Sequence, residues 1–361
     1  MTQLNVGFVG LSHLHPRLYM PLFDSVPEMT VTAVADANPA VLGPFTTDYP
    51  VRGYADWRAM LATERLDLAL LFLPHVECPD AAVACAERGI HLIVEKPMAA
   101  DAAGVARMRS VAAKAGVVLA TPYLWRYHPV ARHMKKLLDE GILGRVVGCE
   151  GRCAAGRLNR YLEGNAKWML TKALSGGGPM YNLGVHWIDL YRWLLQDEVA
   201  EVIGKNVKIN TAYDIEDNSF ALLTFRTGAV VALDISYTVP DSYPYGRDLY
   251  LSLRGTGGVL AWSPSFEGIR ETLFVCSDGD EYAAAPRRHL DFELTPTPGY
   301  CGIMGVQFLR DVAKSITDHA PVTITGEDGL RALEVVEAIY RSAEIGRAVT
   351  LDAATCESLA G

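Results

Sequence analysis

Val94-Glu95-Lys96-Pro97 closes the apolar run from Ile90 to Val94 and sets an ammonium group at the carboxyl end of a predicted buried strand. Ligands of open α/β sheets bind at such strand ends. A lysine there can hydrogen-bond and handle protons, because burial and neighbouring charge shift its pKa readily. Pro97 fixes the chain just beyond it and admits a cis Lys96–Pro97 bond. Near mid-chain, Asn182, His186 and Asp189 form a second cluster. Asn182 and His186 are four residues apart and share one face if the segment is helical. An imidazole titrating at about 6.5 suits proton transfer near neutrality. His186 is therefore the candidate base for a hydroxyl proton, its other reading being a core histidine satisfied by backbone. Asp189 either orients that ring or pairs on the helix surface.

A third group lies at the start of the chain. A dinucleotide phosphate turn reads G-x-G-x-x-G, and its places hold Gly10, Ser12 and His15. Gly10 supplies the tight turn, Ser12 is small enough for backbone to approach a pyrophosphate, and His15 should push the following helix outward. Asp36 lies 21 residues beyond His15, at the end of a β-rich run. A carboxylate there accepts ribose hydroxyls and repels a 2′-phosphate, and no arginine follows immediately, so NAD is expected rather than NADP. The alternative is a turn aspartate before Asn38-Pro39. His13 and His15 have no third partner in view, and Cys149 and Cys153 no second pair at zinc spacing, so no metal is expected.

These groups need an alternating frame to hold them. Leu4 to Val9, Val31 to Ala35, Leu66 to Leu73, Ile90 to Val94 and Val117 to Thr121 read as strands. Between them, helices are predicted from Pro16, over Cys78 to Arg88 with Gly89 as cap, and from Ala100 to Ala115. Strands apolar on both faces, alternating with helices, indicate an α/β fold with a doubly wound parallel sheet. The switch to a second domain is placed at Pro122, giving domains 1–122 and 123–361. In the second, Phe220 to Phe225, Val230 to Tyr237, Asp248 to Arg254 and Val259 to Trp262 read as short strands, with Thr227-Gly228 as a hairpin turn. Gly305 to Ile316 and Gly329 to Ser342 have helical spacing, and Ala283 to His289 reads as a solvated loop. A chain of 361 residues with net charge −9 lacks the basic face that nucleic acid requires. No apolar run is long enough to span a bilayer, no basic stretch followed by an apolar segment opens the given sequence, and the seven cysteines are scattered, as suits free thiols. A soluble, cytoplasmic protein is expected.

In this frame several strings come together. Leu73-Pro74-His75, Gly89-Ile90-His91-Leu92-Ile93-Val94-Glu95-Lys96-Pro97, Arg126-Tyr127-His128-Pro129 with Gly141-Ile142-Leu143-Gly144, Gly176-Gly177-Gly178-Pro179 through Asp189, Glu216-Asp217-Asn218 and Gly326-Glu327-Asp328-Gly329 occur in order. In these strings the chain resembles, essentially end to end, the Gfo/Idh/MocA family of glucose–fructose oxidoreductase and inositol dehydrogenase type. The resemblance implies a Rossmann domain followed by an α+β domain with an open, mostly antiparallel mixed sheet. It also implies NAD-dependent hydride transfer to or from a secondary alcohol of a sugar, sugar acid or cyclitol. Two alternatives stay open: tightly held NAD serving epimerisation, elimination or paired oxidoreduction, and a non-catalytic sugar-binding protein. An uncovered sheet face is a liability, so a homodimer or homotetramer is expected.

The resemblance further implies that Lys96, Asn182 and His186 surround the reacting carbon. Gly10, Ser12, His13, Leu14 and Asp36 would line the cofactor, joined by Leu73, Pro74, His75, Glu95 and Lys96. Tyr123, Arg126, Trp168, Asn182 and Asp189 would face a polyhydroxylated substrate, since aromatic faces and polar tips suit sugars. Tyr243 and Tyr245 would reach the site or a partner subunit. Many relatives carry Asp where Asn182 stands. Asn neither takes a proton nor holds charge, which shifts acid–base work to His186 and leaves Lys96 with a pKa lower than in Asp-bearing relatives.

Overall fold

The computed structural model describes residues 3–156, 158–240, 242–265 and 268–351. Six strands, β1 (Leu4–Val9), β2 (Met29–Ala35), β3 (Arg52–Tyr54), β4 (Leu68–Leu71), β5 (His91–Val94) and β6 (Leu119–Ala120), form one sheet. Their order is β3-β2-β1-β4-β5-β6 and every pairing is parallel. Helices α1 (Pro16–Phe23), α2 (Pro39–Asp48), α3 (Trp57–Thr63), α4 (Cys78–Ala86) and α5 (Ala102–Ala115) connect them. All four residues of β4 are buried, as a strand covered on both faces requires. The order reverses between β1 and β4, and this is where such sheets bind ligands.

A short 3-10 turn, Leu124–Tyr127, leads into α6 (Pro129–Asp139) and then β7 (Val146–Ala155), α7 (Asn159–Glu163), α8 (Lys172–Ser175) and α9 (Val185–Leu195). The strands that follow are β8 (Val199–Val207), β9 (Asn218–Phe225), β10 (Val230–Ser236), β11 (Arg247–Gly255), β12 (Gly258–Trp262), β13 (Arg270–Ser277) and β14 (Arg287–Glu293). Helices α10 (Ile303–Asp318) and α11 (Gly326–Ile345) and the two-residue β15 (Val349–Thr350) complete the described chain. The second sheet runs β14-β13-β12-β11-β7-β10-β9-β8-β15 and is antiparallel except where β10 pairs with β7. The hairpin between β9 and β10 turns at Gly228, whose φ is 88°. The loop expected at Ala283 to His289 is in part a strand. Arg287–Glu293 pairs with β13 as the sheet's edge, its residues alternately exposed and half-buried. Lys96–Pro97 is cis. Six cysteines are free thiols, and Cys356 lies outside the described residues.

Helix α9 rests on β7 through a glycine. A Cβ on Gly151 would lie 2.4 Å from Trp187 Cδ1 and 2.9 Å from Tyr191 Cε2. Trp187 Nε1 donates to Tyr250 O at 3.0 Å and Tyr191 OH to Glu150 O at 2.5 Å. These contacts set where the residues opening α9 point.

Candidate active site

Strand β5 ends on Glu95 and Lys96, each only 3% exposed. The Lys96 ammonium donates to Asn182 Oδ1 at 2.6 Å and to Asn182 O at 3.1 Å. Asn182 lies in a π-helical turn, Met180–Gly184, that runs straight into α9. It is thus not on a continuous α-helix with His186, although both side chains line one cavity with Lys96. An ammonium is only a donor, so the amide oxygen must face it. The amide nitrogen then donates to Tyr161 OH at 2.7 Å and Tyr237 OH at 2.9 Å. Tyr161 OH also accepts from Arg160 Nη2 at 2.9 Å. The Tyr237 hydroxyl hydrogen-bonds Tyr161 as well.

The electrostatics follow from this packing. Burial pushes the Lys96 ammonium below its usual pKa, against the opposing pull of Glu95. Burial acts to raise the Tyr161 pKa, but the Arg160 guanidinium and the hydrogen bonds from its neighbours bring it below the usual tyrosine value. His186 is held well below the ordinary histidine range by burial and then by Lys96, His15 and Arg247. Among the described residues its Nδ1 has no partner. Cationic surroundings thus oppose a proton on His186 and favour losing one from Tyr161.

The cavity measures about 880 Å³ and lies between the modules. Leu14, His15, Leu18 and Lys96 face it from the first, and Arg160, Tyr161, Arg247 and the segment 294–304 from the second. Tyr300 of that segment stacks on His15 at 4.0 Å between ring centroids, and its N–H donates to Leu18 O at 2.7 Å. His15 is held by Glu95 (Nδ1 to Oε1, 2.8 Å), the other carboxylate oxygen accepting the Lys96 N–H at 2.9 Å. His15 stands at the N-cap of α1 and ties it to the end of β5. Glu95 also supplies the third partner that His13 and His15 lacked in the sequence. Ligand atoms of the three lie within 4.8 Å of one another, but His13 Nδ1 accepts the His15 N–H and His15 is bonded to Glu95.

Several residues expected around the substrate are committed elsewhere. Arg126 forms a two-pronged pair with Asp189 (2.8 and 2.5 Å) and reaches Asp328 at 2.7 Å. Neither Arg126 nor Asp189 lines the cavity, and Asp189 orients the guanidinium rather than His186. Removing one partner of such a buried pair costs about 3–5 kcal/mol. Trp168 spans the modules, its indole N–H donating to Ser12 O at 2.7 Å and its ring packing on His13 and His75. Tyr123 is buried behind His186, ring centroids 5.9 Å apart. Tyr243 and Tyr245 are exposed and away from the cavity. Sequence reasoning passed over Arg160, Tyr161, Tyr237 and Arg247; only the side-chain types of the Arg160-Tyr161 pair marked it.

The switch point also departs from expectation. Gly10 adopts φ 84°, and a Cβ there would lie 3.1 Å from Leu73 N. Asp36 Oδ2 accepts the N–H groups of Leu11 (2.6 Å) and Ser12 (2.8 Å). Its Oδ1 accepts Asn38 N–H at 2.7 Å and Ser12 Oγ at 3.3 Å. A carboxylate has about four lone-pair sites, so Asp36 organises the turn first; ribose hydroxyls would have to replace the weakest of these bonds. Nearby, His75 Nδ1 donates to Ser175 O at 2.8 Å, and burial holds this ring to a pKa of about 4. The Nε2 atoms of His13 and His75 are buried with no partner among the described residues. Since buried polar atoms are ordinarily satisfied, these nitrogens, the parallel sheet's switch point and Asp36 together fit a polar dinucleotide.

Residues 4–123 match the model of the oxidoreductase family's NAD-binding Rossmann fold, and residues 135–351 that of its C-terminal α/β domain. The chain belongs to the Gfo/Idh/MocA oxidoreductase family. It is 24% identical to myo-inositol 2-dehydrogenase of Thermotoga maritima over 97% of this chain and 99% of that protein. It is 23% identical to levoglucosan dehydrogenase of Pseudarthrobacter phenanthrenivorans, covering 95% and 97%. Aldose–aldose oxidoreductase from Caulobacter crescentus shares the fold at a TM-score of 0.81 and 23% identity, over 97% of this chain and 100% of that one. As a member of the family, the chain is an oxidoreductase with a Rossmann NAD-binding domain. Among the described residues, no helix is long and apolar enough to cross a membrane.

Proposed function

We propose that this oxidoreductase uses NAD to oxidise, or in reverse to form, a secondary alcohol of a sugar, sugar acid or cyclitol. The observation that carries the reading is the junction of Lys96 from β5 with Asn182, 2.6 Å apart at the wall of a cavity that His186 and Tyr161 also line. Relatives named for inositol and levoglucosan support the substrate class. Asp36 favours NAD over NADP because its fixed charge would repel a 2′-phosphate. When bound, the nicotinamide supplies the two-electron acceptor.

The chain's own groups manage the proton and the charge. Lys96 has spent two of its three protons on Asn182, and the third is available to a substrate oxygen. Such a donor, desolvated and already in place, is the kind that stabilises a developing alkoxide. Tyr161 is the better-placed proton acceptor, because Arg160 and Asn182 both hydrogen-bond its oxygen and favour the phenolate. His186 stays neutral and offers a hydrogen bond. This reverses the division of labour expected when Asn182 was taken to throw the acid–base work onto the imidazole.

The test is NADH-fluorescence titration together with NADH formation from a panel of hexoses, sugar acids and inositols. Tyr161→Phe should lower kcat by about 10²–10⁴-fold, the range typical of a lost acid–base group, while NADH still binds. Unchanged turnover would remove Tyr161 from the reaction, and failure to bind NADH would remove the dehydrogenase reading. The strap 294–304 over α1 favours a second reading, in which the nucleotide remains bound between turnovers. Nucleotide released on denaturing the purified protein would support that version.

A further inference from the structure

The strongest feature still unused is the charge of the cavity. Strands β7 and β11 are neighbours, with Arg247 paired to Ala155 and Gly156 N–H donating to Gly246 O at 3.0 Å. Two guanidinium groups arise at this one end of the sheet, Arg247 opening β11 and Arg160 in α7 just after β7. Arg160 is aimed by its bonds to Gly156 O (2.9 Å) and Tyr161 OH (2.9 Å). Both arginines line the cavity with Lys96. No carboxylate lines it among the described residues. Burial and then Arg160 lower the proton affinity of Arg247, the mark of like charges gathered in one place.

This is opposite in sign to the chain at large, which has 42 acidic against 33 basic residues. Glu95 stands behind His15 and offsets one charge, and an ionised Tyr161 would offset another. Among the described residues, the charged side chains lining the cavity are Lys96, Arg160 and Arg247, a cationic surplus at its wall. Neutral hydroxyls are recognised without such a surplus. Planar guanidinium forks instead match carboxylates and phosphates in two-pronged geometry.

We propose that Arg160 and Arg247 form an anion subsite, and that the polyol this cavity takes carries a carboxylate or a phosphate ester. The proposal rests on the dehydrogenase reading for the polyol but not for the anion, so the two can fail separately. Calorimetry on the full chain, with and without NAD, would compare hexoses and myo-inositol with their uronate, aldonate and phosphate-ester counterparts. At least one anion should bind tenfold or more tightly than its neutral twin, with affinity falling as salt rises. Whether it is a carboxylate or a phosphate ester identifies the group. Arg247→Met and Arg160→Met should each shrink that preference tenfold. The wild-type comparison decides even if a variant does not fold: anions that bind no better than their twins, or not at all, overturn the subsite whether or not NADH forms. Loss of NADH binding would tell against the dehydrogenase instead.

Discussion

At the scale of single residues, Asn182 directs the site through the orientation of its amide. Its oxygen faces Lys96 and its nitrogen serves Tyr161 and Tyr237. An aspartate there would accept from both phenols, turning the Tyr161 proton inward, and would set a carboxylate against the ammonium. Both changes raise the pKa of the group concerned. Asn182→Asp should therefore move the alkaline limb of the kcat/KM profile up by about one pH unit or more, since such a pairing is worth at least that much. A limb that stays put would separate Asn182 from the titration of the site. His128 allows the same logic to be read in stability. Its Nδ1 caps α6 by accepting Val130 N–H at 3.2 Å, and burial drives its pKa to about 3. In the unfolded chain it titrates at about 6.5. Between those values only the unfolded chain holds the proton, so the folded state loses up to about 1.4 kcal/mol per pH unit as pH falls below 6.5. His128→Asn keeps a good cap without titrating. Its urea-unfolding free energy should fall less than the wild type's from pH 6.5 to 4.5, by up to about 2 kcal/mol. Equal losses would mean His128 takes its proton while folded.

At the scale of elements, the seat of α9 on β7 determines whether His186 and Asn182 reach Lys96 at all. Gly151→Ala would force Trp187 and Tyr191 away from β7. Such overpacking costs about 1–3 kcal/mol. The change is made away from the nucleotide, so kcat should drop at least tenfold (a displacement of about 1 Å suffices) with NADH affinity unaltered. Full activity would show that α9 tolerates the shift. What was legible in the sequence follows the same line between local and distant causes. β1, β4 and β5 were readable because both faces are buried and the apolar run is continuous. Lys96 was readable because it ends such a run. β7, β8, β13 and β14 escaped notice because one face of each is partly exposed and their apolar residues alternate with charges, as in Arg287–Glu293. Arg160, Tyr161 and Arg247 come together only through the β7–β11 pairing, a contact between residues about ninety apart in the chain. Arg126 and Asp189 looked like substrate ligands because a sequence cannot show that two charges already have each other.

At the scale of the whole molecule, the second sheet has one face covered by α9 and α11 and another left open. The strand registers assemble the open face from Ile203 beside Leu222, Lys205 beside Phe220, and Ala232, Asp234, Glu150, Arg152 and Tyr250 alongside. Ile203, Phe220 and Leu222 are 48%, 41% and 45% exposed, a contiguous apolar patch of the sort that marks an interaction surface. Around it stand two basic and two acidic side chains from neighbouring strands, Arg152, Lys205, Glu150 and Asp234. That mixture suits an isologous contact, in which each patch meets its own copy about a two-fold axis. A stable interface of this kind covers about 800 Å² per partner, an area that a nine-stranded sheet can provide. The chain should therefore sediment as a homodimer or a multiple of one. Leu222→Asp sets a charge at the centre of the patch, where desolvation without a partner is costly. This variant should dissociate to monomers in analytical ultracentrifugation while still binding NADH, because the cleft lies on the other side of the sheet. A wild-type protein that sediments as a monomer at about 100 µM, well above the dissociation constants usual for interfaces of that size, would leave this face needing a different partner.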